Sequence, residues 1–154
     1  MHLLHFLLRH PRWIAKVSPL VFAIAIPAAA SGTEQQKSHD AEFRAFYAEF
    51  LAAVRANDKN KLADLIAFPV KDWSVEKKGI VETIGIKDKS NFLAKYDSLF
   101  TPFMRSHVLG VKPQKVSDDH YMVVWQDANA EFSFQFEYMP PRGYRVTAYG
   151  IGPR

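Results

Sequence analysis

The sequence predicts an α+β domain in which helices pack on one face of an antiparallel sheet. Three observations lead to this prediction. Apolar residues recur at helical spacing early in the chain, they alternate with polar residues at strand spacing later, and turn-forming clusters separate the later strands. About 124 residues follow the N-terminal segment described next, which is a length that suits a single domain.

Residues 1–30 have the pattern of a cleavable signal peptide. Three basic residues and no acidic one precede an apolar stretch at 17–26, and Ala28 and Ala30 fit the small-x-small cleavage rule. A membrane anchor is the alternative, but a spanning helix needs about 20 apolar residues, and residues 17–30 are too few and include Pro27. We therefore expect cleavage near Ala30, no stable membrane anchor, and a periplasmic or secreted location.

The charge of the remaining chain argues against nucleic-acid binding. The whole chain has 20 Lys and Arg against 16 Asp and Glu, for a formal charge of +4. Without residues 1–30 the balance is 17 against 16, and no long basic run remains to bind phosphates. There is no cysteine, which excludes disulfides, a lipid-modified cysteine and thiol chemistry.

The polar residues 31–39 predict a flexible leader, and the single domain then spans 40–154. Asp40 is the predicted N-cap of a first helix, Asn57 its end, and Asp58 the cap of a second helix. The apolar face of the first helix comprises Phe43, Phe46, Tyr47, Phe50, Leu51 and Val54.

Short strands are predicted at 70–75 and 80–84, around a turn at 76–79. Asp88 or Ser90 then opens a helix that runs to Phe100. Thr101 is a cap with Pro102 at the first position of a further short helix, predicted over 103–109. The remaining chain predicts four strands, at 111–116, 121–126, 131–138 and 144–151.

The clearest strand signal lies in residues 131–138. Phe132, Phe134, Phe136 and Tyr138 fall on one face, and polar residues fall on the other. Residues 121–125 are apolar on both faces, which is typical of a central strand.

This order of elements resembles the nuclear-transport-factor-2-like (NTF2-like) superfamily, also called SnoaL-like or ketosteroid-isomerase-like. Residues 92–102, Phe-Leu-Ala-Lys-Tyr-Asp-Ser-Leu-Phe-Thr-Pro, are similar to a Tyr-Asp-x-hydrophobic-Phe-Thr-Pro segment in exported bacterial members of unknown role. The resemblance implies a cone-shaped fold in which helices and a bent sheet enclose a pocket. It does not imply one chemistry, because the superfamily includes isomerases, dehydratases, cyclases and binding proteins.

Enzymes of this fold place an Asp, Tyr or His in an apolar pocket, and the resemblance offers Asp72, Asp97, Asp127, Tyr96 and Tyr149. None matches an enzyme motif residue by residue. On a strand, Asp72 and the neighbouring Trp73 point to opposite faces, and Asp127 falls in a turn. Catalysis is therefore assigned to no residue.

The histidines also predict no catalytic or metal site. His39, His107 and His120 form no close pair, so we predict neither a metal nor a cofactor. His107 lies on the short helix near the expected pocket mouth. We interpret it as a partly exposed residue at a helix end and not as a catalytic base.

The aromatic residues are the strongest candidates for binding. Most are explained as hydrophobic core, and some could line a cavity for an apolar ligand. We predict an exported, non-enzymatic domain that binds a small apolar ligand or a protein partner and forms a weak homodimer. The alternative is a cofactor-independent isomerase or dehydratase that uses a pocket Asp or His. The predicted ligand-binding residues are Trp73, Tyr96, Phe100, Trp125, Phe134 and Tyr149.

Overall fold

The computed structural model describes the backbone of residues 31–153 and the side chains of residues 39–153. The predicted signal peptide lies outside the described residues. The predicted α+β class is confirmed. Along residues 31–153 the elements are α1 (Ser31–Ala56), α2 (Lys59–Asp64), β1 (Val70–Lys77), β2 (Ile80–Ile86), α3 (Lys89–Ala94), α4 (Tyr96–Leu99), α5 (Pro102–Val108), β3 (Gln114–Ser117), β4 (His120–Gln126), β5 (Ala130–Tyr138) and β6 (Tyr144–Pro153).

The six strands form one sheet in the order β2-β1-β6-β5-β4-β3. Neighbouring strands are antiparallel except β1 and β6, which run parallel with Trp73 opposite Tyr149. Lys78 and Gly79, with φ of 54° and 78°, form the two-residue turn between β1 and β2, a turn that requires left-handed backbone. Register shifts in β1 and between Gln135 and Phe136 of β5 bend the sheet, which is curved and does not close.

The long helix α1 packs against one face of this sheet. Its buried residues fall at the predicted spacing, and Phe43, Phe46 and Phe50 all contact Phe136 of β5. The helix ends as predicted at Asn57, whose φ of 51° is left-handed. The predicted apolar face of this helix is therefore the face that packs against the sheet.

The start of α1 differs from the prediction. Residues 31–39, expected to form a flexible leader, are helical, and Asp40 lies inside the helix rather than at its cap. His39 Nδ1 lies 2.8 Å from Asp119 Oδ1, and the His39 ring stacks on Tyr138. These contacts tie His39 to the β3–β4 turn and to the end of β5.

The other predicted caps are confirmed. Asp58 and Asp88 each accept a hydrogen bond from the backbone N–H three residues ahead, at 3.0 and 2.7 Å. Thr101 caps α5 in the same way, with Pro102 as the first helical residue. The helix predicted to run to Phe100 is instead two segments, α3 and α4, that meet at Lys95.

Two strand predictions need correction. The strand predicted at 111–116 begins only at Gln114, and all four residues of β3 are exposed. The strand predicted as central is β4, which lies between β5 and the short edge strand β3. Its inward residues Tyr121, Val123 and Trp125 are buried, whereas Met122 and Val124 on the other face are half-buried.

The core lies between the helices and the sheet and is largely aromatic. Phe132, Phe134 and Phe136 of β5 are buried, as their alternation predicts, and Tyr138 is half-buried. This core fills the centre of the curved sheet and leaves open space nearer one end of it.

Candidate functional site

A cavity of about 350 Å³ opens between the α4–α5 region and the end of the sheet near the β4–β5 turn. Its walls come from β1, β5 and β6 on one side and from α4 and α5 on the other. A volume of this size falls at the lower end of the range for small-molecule sites. The lining residues are Ser74, Val75, Glu76, Ser98, Thr101, Phe103, Met104, Asp127, Phe132, Tyr149 and Ile151.

Two buried residues of this lining have hydroxyl groups, and neither hydroxyl oxygen is fully enclosed, since the enclosed side-chain atoms without a partner in the described residues are His120 Nε2 and Trp125 Nε1. Tyr149 is 2% exposed and Ser74 is 7% exposed, and the structure records no hydrogen bond from either side chain. Both hydroxyls lie beside the cavity, where a bound molecule could satisfy them.

Tyr149 is suited to donate a hydrogen bond rather than to act as a base. Burial raises the pKa of its phenol far above the usual value of 10, and the negative charge of Glu76 raises it further. The phenol therefore stays protonated at neutral pH and presents an O–H donor.

Asp127 lies in the β4–β5 turn, as its turn signal predicts, and it also lines the cavity. Its Oδ1 accepts hydrogen bonds from the backbone N–H groups of Asn129 and Ala130, both at 2.8 Å. These bonds fix the carboxylate at the rim and close the turn.

Of the six residues predicted to bind a ligand, Tyr149 lines this cavity. Trp73, Phe100 and Phe134 are fully buried in the aromatic core, and Trp73 Nε1 donates to the carbonyl oxygen of Leu99. Tyr96 is also buried, and its hydroxyl donates to Asn57 Oδ1 at 2.8 Å. These four residues therefore belong to the core and not to the cavity lining.

Trp125, the sixth, lies directly behind the cavity wall. Its ring stacks on Phe132, with centroids 5.5 Å apart, and Phe132 lines the cavity. Trp125 is 6% exposed, and its Nε1 has no hydrogen-bond partner within the described part of the chain.

The other candidate acid–base residues lie apart from the cavity lining. Asp72 and Asp97 are exposed, and Asp72 lies next to the buried Trp73, as the strand pattern predicts. His107 packs against Phe103 with ring centroids 4.1 Å apart, and its Nδ1 lies 2.8 Å from the carbonyl oxygen of Phe103. It is a half-buried residue near the end of α5, as predicted.

His120 is half-buried on β4, and its Nε2 is buried with no hydrogen-bond partner in residues 31–153. No group of His, Asp or Glu side chains in the described residues could hold a metal ion. No helix within residues 31–153 is long and apolar enough to cross a membrane.

Most of the cavity lining is not predictable from the sequence. Ser74, Phe103 and Met104 were not among the candidates, and they come from segments that only the folded chain brings together. The one local signal was Ser74 itself, a hydroxyl set between two apolar residues of a strand.

No protein-family profile matches the sequence, and no curated protein sequence matches it significantly. Two solved structures are similar in fold. A candidate ketosteroid isomerase from Shewanella frigidimarina NCIMB 400 is 11% identical, covers 74% of this chain and 97% of its own length, and has a TM-score of 0.40. An NTF2-like superfamily protein from Salmonella enterica serovar Typhimurium LT2 is 12% identical, covers 81% and 94%, and has a TM-score of 0.41.

Proposed function

We propose that this domain binds a small, largely apolar molecule in the cavity between α5 and the sheet, without acid–base catalysis. The observation that carries the proposal is that two buried residues of the lining, Ser74 and Tyr149, have hydroxyl groups that make no hydrogen bond within residues 39–153. They lie among five apolar lining residues, Val75, Phe103, Met104, Phe132 and Ile151. An apolar cavity with a few convergent polar groups is the usual form of a small-molecule site.

The ionisable groups of the lining favour binding over catalysis. A general base must hold its proton-accepting atom towards the substrate with a pKa near the working pH. The raised pKa of Tyr149 keeps its phenol protonated. Glu76 is exposed, and Asp127 Oδ1 accepts two backbone hydrogen bonds that close its turn.

The test uses 3-phenylpropan-1-ol, which combines an aromatic body with one hydroxyl. In ¹H–¹⁵N NMR spectra we expect it to shift the backbone amides of Phe103, Tyr149 and Ile151 in a saturable way. Ser98→Phe should weaken binding at least about tenfold by filling the cavity. Ser106→Phe is the matched control, because both serines are exposed and each donates to the carbonyl three residues earlier, yet Ser106 is outside the lining.

Tyr149→Phe removes one hydroxyl and leaves the ring. We expect a several-fold loss of affinity for the alcohol, since one hydrogen bond contributes about 0.5–1.5 kcal/mol. Shifts that avoid the cavity amides, or equal affinity in Ser98→Phe and Ser106→Phe, would contradict the proposal.

An isomerase-type enzyme is the second candidate, because Asp127 and the Tyr149 phenol line the same apolar cavity. A carboxylate base and a phenol donor could together move a proton next to a carbonyl group. The test is deuterium exchange at the α-carbon of cyclohexanone in D₂O. We expect no exchange above the buffer rate, and exchange that Asp127→Asn abolishes would favour the enzyme.

We also propose that the domain works outside the cytoplasm. The proposal rests on the order of features in residues 1–30, where basic residues come first, an apolar stretch follows, and small residues end the segment. N-terminal sequencing of the protein from the host cell should begin near Ser31. Uncut chain recovered from the membrane fraction would contradict this.

Binding of a protein partner on the outer sheet face, including a weak homodimer, remains a further prediction. Met122 and Val124 are half-buried on that face, and the exposed Glu131 and Glu137 lie on the neighbouring strand β5. This small apolar strip suits a weak contact rather than a permanent one. Sedimentation at micromolar concentration should show a mixture of monomer and dimer, and a monomer at all concentrations would contradict the homodimer.

A further inference from the structure

Strand β2 forms an open edge of the sheet. Among the described residues it is the last strand on its side, and residues 80–83 and Gly85 are exposed. Ile80 is 64% exposed and Val81 is 45% exposed. Adjacent residues of a strand point to opposite faces, so both faces of this edge carry an uncovered apolar side chain. An unpaired strand of this kind is a template on which another strand can pair.

The opposite edge, strand β3, is less suited to such pairing. It has four residues, it follows Pro113, and its register with β4 shifts between Lys115 and Ser117. A short strand, a proline and an irregular register are features that keep edge strands from pairing. Strand β2 is longer, contains no proline, and pairs with β1 in a regular register along residues 80–84. Pairing between two molecules is therefore expected at β2 and not at β3.

The turn between β1 and β2 determines which backbone groups point away from the sheet. In a two-residue hairpin the residues that flank the turn, here Lys77 and Ile80, form a hydrogen-bonded pair. Because such pairs alternate along a strand, the even-numbered residues of β2 direct their N–H and C=O groups at β1. Val81, Thr83 and Gly85 direct theirs away from the sheet. A strand added to this edge must bond to these three residues.

Charge and strand length exclude two of the registers that a second, antiparallel copy of β2 could adopt. A two-fold axis at Glu82 would set the Glu82 carboxylates of the two copies opposite each other, which destabilises a strand pair. An axis at Ile84 would leave Val81 opposite Lys87, beyond the end of β2 at Ile86.

An axis at Thr83 has neither defect. Thr83 of one copy then lies opposite Thr83 of the other, and Val81 lies opposite Gly85, whose lack of a side chain leaves room for the valine. All three outward-facing residues are paired in this register. Just beyond the paired residues, Lys78 of one copy lies opposite Asp88 of the other, and the two charges are opposite.

We infer that two copies of this domain associate through their β2 edges, antiparallel about a two-fold axis at Thr83, and join their six-stranded sheets into one. The contact covers the exposed side chains of Ile80 and Val81. Because the axis is two-fold, both copies use the same edge and assembly stops at two. This inference does not depend on a ligand in the cavity, and it uses a surface other than the strip of Met122 and Val124.

The test measures association of the purified protein by sedimentation velocity from micromolar to submillimolar concentration. The unaltered protein should form a dimer. Thr83→Lys and Thr83→Asp should each raise the dimer Kd at least about tenfold, because each sets like charges opposite each other on the axis. An equimolar mixture of the two variants should associate again, since opposite charges then face each other. Recovery in the mixture also shows that both variants are folded.

Ser117→Lys is the matched control, because it adds the same charge to an exposed residue of the other edge strand. Val124→Lys is the control on the outer sheet face, and both should leave the dimer Kd unchanged. Equal effects of Thr83→Lys and Ser117→Lys would overturn the inference, because overall charge would then explain them. No recovery in the mixture, a loss confined to Val124→Lys, or a monomer at all concentrations would overturn it as well. Each of these outcomes leaves the proposed cavity function standing, since that function is tested by separate titrations.

Discussion

The indole Nε1 of Trp73 donates a hydrogen bond to the carbonyl oxygen of Leu99 at 3.1 Å. The bond ties strand β1 to the last residue of α4, across a side chain that is fully buried. It explains why Trp73, which was predicted to bind a ligand, occupies the core instead. The polar atom of this indole is satisfied inside the protein.

Trp73→Ala should therefore lower the free energy of unfolding by about 3–5 kcal/mol, through the cavity it leaves and the unpartnered Leu99 carbonyl. Asp72→Ala, one residue earlier on the exposed side, should change it by less than about 0.5 kcal/mol. Urea denaturation followed by circular dichroism measures both. Equal effects at the two positions would mean that β1 is placed with the wrong face inward.

Phe134→Ala should destabilise the domain by about 3–5 kcal/mol, because Phe134 is buried where α1, β1 and β6 meet β5. Its neighbour Ser133 is half-buried on the opposite face, so Ser133→Ala should cost little. The same urea titrations apply. A small loss at Phe134 would contradict the inward alternation of β5.

Tyr47 predicts a loss of stability at alkaline pH. Burial raises the pKa of its phenol to about 12, and its hydroxyl donates to the carbonyl of Val111 at 3.0 Å. Below pH 10 both folded and unfolded chains keep the proton. Between about pH 10 and 12 the unfolded chain loses it first, so the free energy of unfolding falls as pH rises.

Tyr47→Phe should remove the part of the alkaline decline in stability that comes from this phenol. At neutral pH it should lower the free energy of unfolding by about 1 kcal/mol, because the hydrogen bond to Val111 is lost. Tyr121, whose pKa is also raised to about 12, should preserve part of the decline in the variant. Stability measured at several alkaline pH values, with tyrosinate absorbance, provides the check. An identical pH profile in the variant would contradict the assignment.

Asp88 caps α3 by accepting a hydrogen bond from the N–H of Asn91 at 2.7 Å. Asp88→Ala should cost about 1 kcal/mol, whereas Asp88→Asn, which keeps a side-chain oxygen, should cost much less. Thermal unfolding of the two variants distinguishes them. Similar losses in both would indicate that the carboxylate charge, and not the cap, stabilises this helix.

Local signals predicted much of the fold. The helical spacing from Phe43 to Val54, the alternation from Phe132 to Phe136, and the caps at Asp58, Asp88 and Thr101 each depend on residues close in sequence. Periodicity and capping follow from backbone geometry, so they are readable without tertiary contacts.

The errors arose where distant residues decide the conformation. The helix continues past Asp40 towards Ser31, and Asp40 Oδ1 accepts hydrogen bonds from Tyr121 at 2.6 Å and Lys115 at 2.8 Å. The bond from Lys115 and the bond from Tyr121 lower the pKa of the Asp40 carboxyl group. A capping residue and a residue held by a distant hairpin look the same in the sequence.

The candidate site was the least predictable part for the same reason. Ser74, Phe103 and Tyr149 come from a strand, a helix and another strand far apart in the chain. An aromatic core is built from many residues, so the composition of the chain is enough to predict it. A cavity is a local shortfall in packing, and no single residue type marks it.

The parallel pairing of β1 with β6 has a consequence for how the chain matures. β6 lies between β1 and β5, so it joins the hairpin β1–β2 to the strands β3 to β5. Without residues 144–153, only the pairings β1–β2 and β3–β4–β5 remain available, and each of these two part-sheets would have an open edge where β6 belongs. Such a chain depends on late, long-range pairing to finish, which favours slow folding and gives chaperones time to bind. A nonsense codon before Tyr144 should therefore yield an aggregating fragment rather than a smaller folded domain.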